Sequence, residues 1–362
     1  MRARPRLIGE ITLASVVGLA AFVPTRPELV ERWFSLGLYP PIQRTTTSLS
    51  NLLPLAFLDV LSVSVVAVSA WMLSRTLRNA WQTRQVSRLL ATVRGVVGTA
   101  GIAYLAFLLM WGFNYRRVPM ADRLQLVAAQ PTPESVAELG HEATRQMNAL
   151  HDDAHRAGWP AEPVKDEALR RGFLAAQRAL LDAPPAVPGR LKRTLFGPYF
   201  RWTGVDGMIN PFGLEVLANP DLLPFERPFV AAHEWAHLAG FADEAEANFV
   251  GWLACMQGNA STQYSGWLFV YWQVSSELGG RTRTRLAEAL DAGPRGDITA
   301  IIERLRSGEL PWLRTAGWQV YDQYLKANRV EEGIRSYGAV VTLIVRARFE
   351  PGWVPVRATS NR

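Results

Sequence analysis

The sequence predicts three N-terminal transmembrane helices followed by a mainly α-helical (α+β) domain that contains a small β region. Two observations carry this prediction: long apolar runs confined to the first third of the chain, and helical patterning beyond them. The chain has 362 residues, of which 49% are hydrophobic and 20% charged. This length favours two structural units, and the composition excludes a disordered or fibrous protein. A single cysteine excludes a disulfide framework and a four-cysteine zinc module.

Each apolar run is long enough to cross a bilayer. A helix rises about 1.5 Å per residue, so about 20 residues span a hydrocarbon core of roughly 30 Å. The predicted spans are residues 7–23, 52–73 and 96–113, and the last contains no charged residue. Trp111 and Tyr115 at its outgoing edge are interpreted as an interfacial aromatic belt. Buried helices of a soluble protein are the alternative, which is disfavoured because Arg-rich segments separate the runs.

The positive charge of the chain lies in its membrane part. Residues 1–118 hold 13 basic and 4 acidic residues, whereas residues 119–362 hold 26 basic and 28 acidic residues. Five arginines and no acidic residue between positions 74 and 95 place that segment in the cytoplasm. The N-terminus is then cytoplasmic and residues 119–362 form an extracytoplasmic domain, although Arg116 and Arg117 oppose this weakly. The distribution of charge therefore predicts the orientation of the chain in the membrane. It does not indicate a nucleic-acid partner.

The expected first partner of residues 1–118 is a lipid bilayer. Residues 7–23 have a second interpretation, a cleaved signal peptide, because three arginines precede them. An uncleaved anchor is favoured, since further spans follow. Asp59 lies inside the predicted second span, where an ionisable residue is functional by default. The sequence assigns it no specific role. The sequence makes no prediction of oligomeric state.

Helical patterning dominates the second part of the chain. Residues 134–156 and 166–181 predict amphipathic helices. Residues 194–219 predict short strands and turns, because aromatic and β-branched residues alternate there with glycine, proline and asparagine. From Pro228 helical patterning continues to about residue 344. The β region therefore comes just before the longest helical stretch.

The residues with the clearest chemistry form the motif H-E-x-x-H, from His233 to His237, on a helix predicted to start near Pro228 and stop at Gly240. Residues four apart lie on one helix face, so both imidazoles can bind one metal ion. Zinc is favoured, because it accepts neutral imidazoles in a tetrahedral arrangement with one position left for water. Glu234 beside the metal is the candidate general base.

A third protein ligand is expected from residues 240–248, which contain three carboxylates. Asp243 and Glu246 match a capping box at the start of a new helix, whereas Glu244 and Asn248 share another face of it. Glu244 is the favoured ligand, with Asn248 orienting it or a histidine. Asp243 is an alternative ligand, because it takes the third-ligand position of H-E-x-x-H-x-x-G-x-x-H metalloproteases. Glu246 is a further alternative.

Residues 233–237 and 240–249, together with the segments 111–119, 210–215 and 324–328, resemble a bacterial membrane-anchored family of unknown function (domain of unknown function 3810) with a zincin-type site. The resemblance covers most of the chain. The element at 244–248 is also similar to the glutamate-bearing helix of several gluzincin peptidases. The resemblance implies a zincin-like metallopeptidase domain, Glu244 as third ligand of Zn(2+), and a multi-pass protein of a bacterial cytoplasmic (inner) membrane.

The reaction expected of such a centre is hydrolysis of a peptide bond in a peptide or protein substrate. A zinc-activated water gives its proton to Glu234 and attacks the amide carbonyl. The developing oxyanion needs a second donor, for which Tyr324, Tyr337 and Tyr264 are candidates. Residues 204–219 are expected to offer an edge strand to an extended peptide.

Two rival functions remain. One is a non-catalytic membrane sensor or scaffold that keeps the zinc site as structure, which the intact Glu234 disfavours. The other is an intramembrane protease, disfavoured because His233 lies over 100 residues beyond the last apolar run. His151 and His155 also lie four apart, and this second pair is interpreted as a solvated helix face rather than a metal site.

Overall fold

The computed structural model describes residues 3–83, 86–328, 330 and 339–358. Its helices are α1 (Ala3–Phe22), α2 (Pro27–Val30), α3 (Tyr39–Leu52), α4 (Phe57–Thr83), α5 (Val86–Met110), α6 (Pro133–Ala157), α7 (Glu167–Leu180), α8 (Gly197–Thr203), α9 (Arg227–Leu238), α10 (Glu244–Met256), α11 (Ala260–Glu277), α12 (Gly280–Glu288), α13 (Ala292–Gly308), α14 (Pro311–Ala327) and α15 (Ala339–Arg346). Its strands are β1 (Leu191–Lys192), β2 (Gly207–Asn210), β3 (Glu215–Ala218), β4 (Phe349–Glu350) and β5 (Val354–Pro355). The predicted combination of mainly α structure with few strands is confirmed.

Two helices of the described part are long and apolar enough to cross a membrane, Phe57–Arg78 within α4 and Thr92–Met110 within α5. A third candidate is bent: Ile8–Phe22 and Pro27–Leu52 together meet the same criteria, but the chain bends by 112° between them. By length and composition, the described residues therefore contain two helices that could span a membrane, or three if the bent pair forms one span.

The spans differ from the predicted ones in their bounds. The second begins at Phe57 rather than at residue 52, because α3 continues to Leu52 and the chain turns before α4. The third ends at Met110, and the following residues Gly112–Arg116 form a 3₁₀ helix. Apolar composition continues through both breaks, so hydropathy alone did not locate them.

The segment between the first two predicted spans packs against the C-terminal domain. It forms α2, a π-helical stretch (Glu31–Leu38) and α3. The buried side chains of Gln43 and Thr47 donate hydrogen bonds to Val187 O at 2.9 Å and to Leu214 O at 2.7 Å. This segment therefore belongs to the packing of the domain that carries the H-E-x-x-H motif.

A small sheet lies just before that motif, as predicted. Its strand order is β1-β3-β2, with β1 parallel and β2 antiparallel to β3. The turn expected at Gly197 is instead the start of α8, whose first turn contains Pro198, where proline favours a helix. Because β2 pairs only with β3 in the described sheet, it is an edge strand.

The helices around the motif form the core. Helix α10 packs against α9 and α7, and α11 packs along α6. Trp235, Trp252 and Trp267 are among the largest fully buried side chains. The two amphipathic helices predicted beyond residue 118 are confirmed as α6 and α7, and Asp166 caps α7 by accepting bonds from two amides of its first turn.

Candidate metal centre

The H-E-x-x-H motif lies on α9, as predicted. Pro228 occupies the first turn, where its missing amide proton costs no hydrogen bond. At the other end Gly240 has a φ of +85°. Phe241 N donates to Ala236 O, and Gly240 N to His237 O, both at 3.0 Å. This is a Schellman arrangement, which glycine favours because it adopts positive φ without strain.

That turn orients the imidazole of His237. Its Nδ1 lies 2.8 Å from Phe241 O. A carbonyl oxygen only accepts hydrogen bonds, so in the neutral imidazole Nδ1 carries the proton and Nε2 keeps its lone pair. A histidine ligand is commonly fixed in this way by a partner of its other nitrogen. The turn that ends α9 therefore also holds His237 in the orientation and tautomer in which Nε2 can bind a metal ion.

The carbonyl groups at the end of α9 bind side chains from the N-terminal part of the chain. Trp111 Nε1 donates to His237 O at 2.9 Å, and Tyr39 Oη donates to Leu238 O at 2.8 Å. Carbonyls at a helix end lack a partner within their own helix, so the bond from Tyr39 satisfies Leu238 O, while Trp111 adds a second donor to His237 O, which also accepts from Gly240 N.

Three side chains converge beside this helix and could hold a metal ion: His233, His237 and Glu244. Glu244 Oε2 lies 3.4 Å from His233 Nε2 and 3.5 Å from His237 Nε2. Atoms bound at about 2.0–2.1 Å to a tetrahedral zinc ion lie about 3.3–3.4 Å apart. Both distances from Glu244 Oε2 thus match those between ligand atoms of a tetrahedral zinc ion.

Helix α10 places Glu244 at its first residue. Asp243 is the N-cap, and its Oδ1 accepts hydrogen bonds from Ala245 N at 2.9 Å and from Glu246 N at 3.1 Å. Glu246 Oε1 accepts a bond from Met120 N at 2.5 Å. The group of potential ligands contains neither Asp243 nor Glu246. Of the three carboxylates predicted as candidates, only Glu244 joins the two histidines.

The close approach of α9 and α10 depends on a glycine. A Cβ atom on Gly251 would lie 2.9 Å from His233 N and 3.0 Å from its Cα. Both contacts are with backbone atoms, which cannot move aside. Gly251 therefore lets the two ligand helices lie close enough for their side chains to meet.

The sequence did not reveal one further residue of the centre, Tyr321 on α14. Its hydroxyl donates a hydrogen bond to Glu244 Oε1, the oxygen not directed at the imidazoles. It lies 77 residues beyond Glu244, on a helix whose pattern gives no indication of this contact. Only the position of Tyr324 on the same helix, one turn further, pointed to α14.

The other predicted residues lie as follows. Asn248 is buried and borders the cavity next to His233 and Glu234. Its Nδ2 has no hydrogen-bond partner among the described residues. Tyr324 lines the cavity. Tyr264 is not among the residues that line the cavity at the centre, and its buried hydroxyl donates to Asp297 Oδ2 at 2.5 Å. Tyr337 lies outside the described residues.

Burial couples the ionisable groups of the centre. Burial opposes ionisation of Glu244, but His237 and His233 hold the pKa of its carboxyl well below its usual range. Burial also lowers the pKa of His237, and Glu244 outweighs this effect and raises the value to about 9. Burial raises the pKa of the Glu234 carboxyl. A metal ion that binds here must therefore displace a proton from His237.

Unpartnered polar atoms support the fit of a cation. Glu244 Oε2 and Glu234 Oε2 are buried and have no hydrogen-bond partner among the described residues. A buried carboxylate oxygen without a partner is costly. Two imidazoles and one carboxylate are also a donor set that zinc takes in catalytic sites. The residues present fit such an ion.

A family comparison accounts for most of the chain. The family described as Protein of unknown function (DUF3810) matches residues 34–345. The chain belongs to this family. In the comparisons with curated proteins and with solved structures, nothing matches.

The matched region includes a cleft with two lobes that meet at His233, Glu234 and Gly207. The apolar lobe has a volume of about 440 Å³ and includes Trp111, Tyr115, Ile209, Val320 and Tyr324 in its lining. The polar lobe has a volume of about 380 Å³ and includes Asp206, Glu226, Asn248, Arg304 and Arg314. The metal centre thus lies between an apolar and a charged half of one cleft.

Strand β2 forms one wall beside Glu234. A Cβ atom on Gly207 would lie 2.7 Å from Glu234 Oε1. The absence of a side chain at this position lets the strand pass directly over the carboxylate. The edge strand expected from residues 204–219 therefore runs along the cleft.

The apolar lobe lies at the end of a candidate membrane span. Trp111 immediately follows Met110, the last residue of α5. Its side chain is only 4% exposed and bonds to α9, so the prediction of an interfacial belt at Trp111 is wrong. The indole packs inside the protein because its NH finds a partner there.

The start of α4 is fixed near the same cleft. The buried carboxylate of Glu215 on β3 accepts hydrogen bonds from Phe57 N at 3.0 Å and Leu58 N at 2.8 Å. Asp59 accepts bonds from Thr194 Oγ1 at 2.5 Å and Leu195 N at 3.0 Å. Asp59 thus attaches the candidate span to the domain, which gives this acid a structural role.

Proposed function

We propose that this protein is a membrane-anchored, zinc-dependent metallopeptidase that hydrolyses peptide bonds, with Glu234 as general base. One observation carries the proposal: Glu244 Oε2 lies 3.4 and 3.5 Å from the Nε2 atoms of the two motif histidines. His233, His237 and Glu244 would hold the zinc ion. Three protein ligands beside an open cleft are typical of a catalytic site, whereas structural zinc sites are closed by four.

Proton transfer and stabilisation of the oxyanion are assigned to side chains of the protein. Zinc, when bound, lowers the pKa of water and polarises a carbonyl. Glu234 accepts the proton of the attacking water and can return it to the leaving amine. Burial of its carboxyl favours this role, because it keeps the group a weaker acid than one in water. The Tyr324 hydroxyl and the Asn248 amide, which border the cleft on opposite sides, are the candidate donors to the developing oxyanion.

The proposed substrate is a peptide segment in extended conformation. Among the described strands β2 pairs only with β3, so its other edge is available to a peptide backbone. A segment along β2 would place one flank in the apolar lobe and the other near Arg304 and Arg314. This cleft favours a sequence that changes from apolar to charged across the cleaved bond.

The proposed location is a bacterial cytoplasmic (inner) membrane, with the N-terminus in the cytoplasm and the peptidase domain outside. The arginines around α4 and α5 support this orientation. The basic residues that opposed it have structural partners: Arg116 donates to Ala20 O at 2.7 Å, and Arg117 pairs with Glu31 at 2.9 Å. The cleft at the end of α5 would then meet segments that emerge from the outer face of the membrane.

The deciding experiment is Glu234→Gln in the full-length protein in nanodiscs. A mixture of quenched-fluorescent peptides, soluble and lipid-anchored, serves as probe, and zinc is measured by mass spectrometry. We expect the variant to bind as much zinc as the parent and to lose cleavage. Glu303→Gln on the exposed face of α13 is the matched control and should leave both unchanged.

The rival interpretation is a non-catalytic sensor or scaffold with a structural zinc site. It is favoured if parent and Glu234→Gln both hold zinc and neither cleaves any peptide of the mixture. A parent that holds no zinc at the His233 centre would contradict both interpretations.

A further inference from the structure

A second group of metal-ligating side chains lies away from the cleft, on α6 and α13. His151 and His155 of α6 meet Asp297 of α13, which is separated from them by more than 140 residues. His155 Nε2 lies 2.8 Å and His151 Nε2 lies 3.8 Å from Asp297 Oδ2. The sequence predicted a solvated helix face for the histidine pair, because Asp297 could not be placed beside it.

The surroundings orient these groups toward one point. His151 Nδ1 lies 2.9 Å from Asp152 Oδ1, so in the neutral imidazole Nδ1 carries the proton and Nε2 has its lone pair facing Asp297. Tyr264, which is fully buried, donates its hydroxyl hydrogen to Asp297 Oδ2 at 2.5 Å. His151 and Asp297 thus each have a second partner that fixes the direction of the side chain.

The backbone of α13 comes close to this point because it lacks a side chain there. A Cβ atom on Gly293 would lie 2.3 Å from His151 Cε1. The side chain of His155 remains 37% exposed, whereas that of Asp297 is 11% exposed. The group therefore combines a preformed inner side with a path for an ion from solvent.

We propose that His151, His155 and Asp297 form a second divalent metal site, for zinc or a similar transition-metal ion. Two imidazoles and one carboxylate suit such ions. The two distances to Asp297 Oδ2 lie on either side of the about 3.3–3.4 Å expected between ligands of a tetrahedral zinc ion. On binding, the ion takes the place of the proton that His155 Nε2 shares with Asp297; a neutral ring keeps this proton by moving it to Nδ1, whereas an imidazolium, which already carries a proton on Nδ1, releases it to solvent. Water supplies the remaining coordination.

The site would fasten α13 to α6. Seven residues beyond Asp297, about two helical turns, α13 carries Arg304, which donates to Asp206 at 3.0 Å and to Glu226 at 2.7 Å in the polar lobe. An ion that holds α13 also holds this guanidinium between its two carboxylates. The second site is thus a structural brace for one wall of the cleft, and it does not depend on the proposed catalysis.

Metal stoichiometry tests the proposal. The full-length protein, freed of any affinity tag, is equilibrated with zinc, separated from excess metal and analysed by mass spectrometry. We expect two zinc ions per chain in the parent, one in His155→Ala, one in His237→Ala and none in the double variant. His141→Ala, an exposed histidine of the same helix, is the matched control and should keep two.

A second measurement guards against loss of folding. In the His237→Ala background, zinc should raise the thermal unfolding temperature, and Asp297→Asn, which keeps an acceptor for Tyr264, should abolish that increase. The proposal is overturned if His155→Ala and the parent bind the same number of ions, or if zinc raises the unfolding temperature equally with and without Asp297. Neither result would affect the His233 centre, whose failure would instead appear as unchanged zinc content in His237→Ala.

Discussion

The hydroxyl of Tyr321 on α14 donates a hydrogen bond to Glu244 Oε1, while Oε2 of the same carboxylate faces the two imidazoles. This bond sets the rotation of the carboxylate. Because α14 also lines the apolar lobe, the helix that borders the cleft holds a candidate metal ligand in place.

Removal of this hydroxyl should weaken metal binding, with little change in the shape of the cleft. We expect Tyr321→Phe to lower zinc affinity by about 10-fold to 100-fold, as is typical when a ligand loses its orienting partner. Competition with a chromogenic chelator measures the affinity. Tyr324→Phe, one turn away on the same helix, should keep the parent affinity and instead lower the rate of peptide cleavage. Equal zinc affinities in Tyr321→Phe and parent would rule out the orienting role.

The turn after α9 gives a second prediction. Gly240→Ala places a side chain at a φ of +85° and a Cβ atom 2.9 Å from Asn114 Oδ1. A left-handed conformation costs a non-glycine residue about 1–2 kcal/mol. Since Phe241 O orients His237, we expect both a lower unfolding temperature and weaker zinc binding. Gly279→Ala is the control, because that glycine has a φ of −67° and open space around its Cβ position. Comparable unfolding temperatures for the two variants would contradict the strain.

A buried ion pair beneath the start of α4 gives a prediction about pH. Lys192 Nζ lies 2.9 Å from Glu215 Oε2, and both side chains are almost fully buried. Burial opposes ionisation of Glu215, but hydrogen bonds from Asn210, Lys192 and the amides of α4 lower its pKa below the ordinary 4.5. A lowered pKa means that the carboxylate stabilises the fold above pH 4.5 and that this stabilisation is lost as the pH falls through the folded-state value.

Lys192→Met should therefore destabilise the protein most at neutral pH. Breaking a buried ion pair on one side costs about 3–5 kcal/mol. We expect a large drop in unfolding temperature at pH 7 that shrinks as the pH falls through the lowered folded-state pKa of Glu215, below which this carboxyl is protonated in both proteins. Lys165→Met serves as control, because the side chain of Lys165 is 71% exposed. A drop in unfolding temperature of the same size at pH 7 and at the acidic pH would show that Lys192 acts through packing alone.

Local patterns predicted the parts of the centre that lie close together in sequence. Helix periodicity placed His233 and His237 on one face, and capping chemistry separated Asp243 from Glu244 at the start of α10. These inferences need only the geometry of one helix or one turn. The bounds of α9 followed from Pro228 and Gly240 for the same reason.

Contacts between distant segments were beyond such patterns. Tyr321 and Asp297 join histidine or glutamate ligands that lie far away in the chain, and nothing in their own surroundings distinguishes them from other residues of α14 and α13. Separation along the chain was also misleading for the position of the cleft. His233 lies over 100 residues beyond the last span, yet the chain folds back so that His237 and Trp111 share a hydrogen bond.

The same bond would couple the bilayer to the candidate metal centre of the proposed membrane protein. A membrane helix responds to a change in bilayer thickness by tilting. Trp111 follows the last residue of α5, a candidate span, and donates a hydrogen bond to the carbonyl oxygen of His237, whose imidazole is a candidate ligand. Tilt of α5 in a membrane would therefore exert force on the backbone of that ligand. Lipid composition and membrane tension would then act on the coordination geometry through this contact.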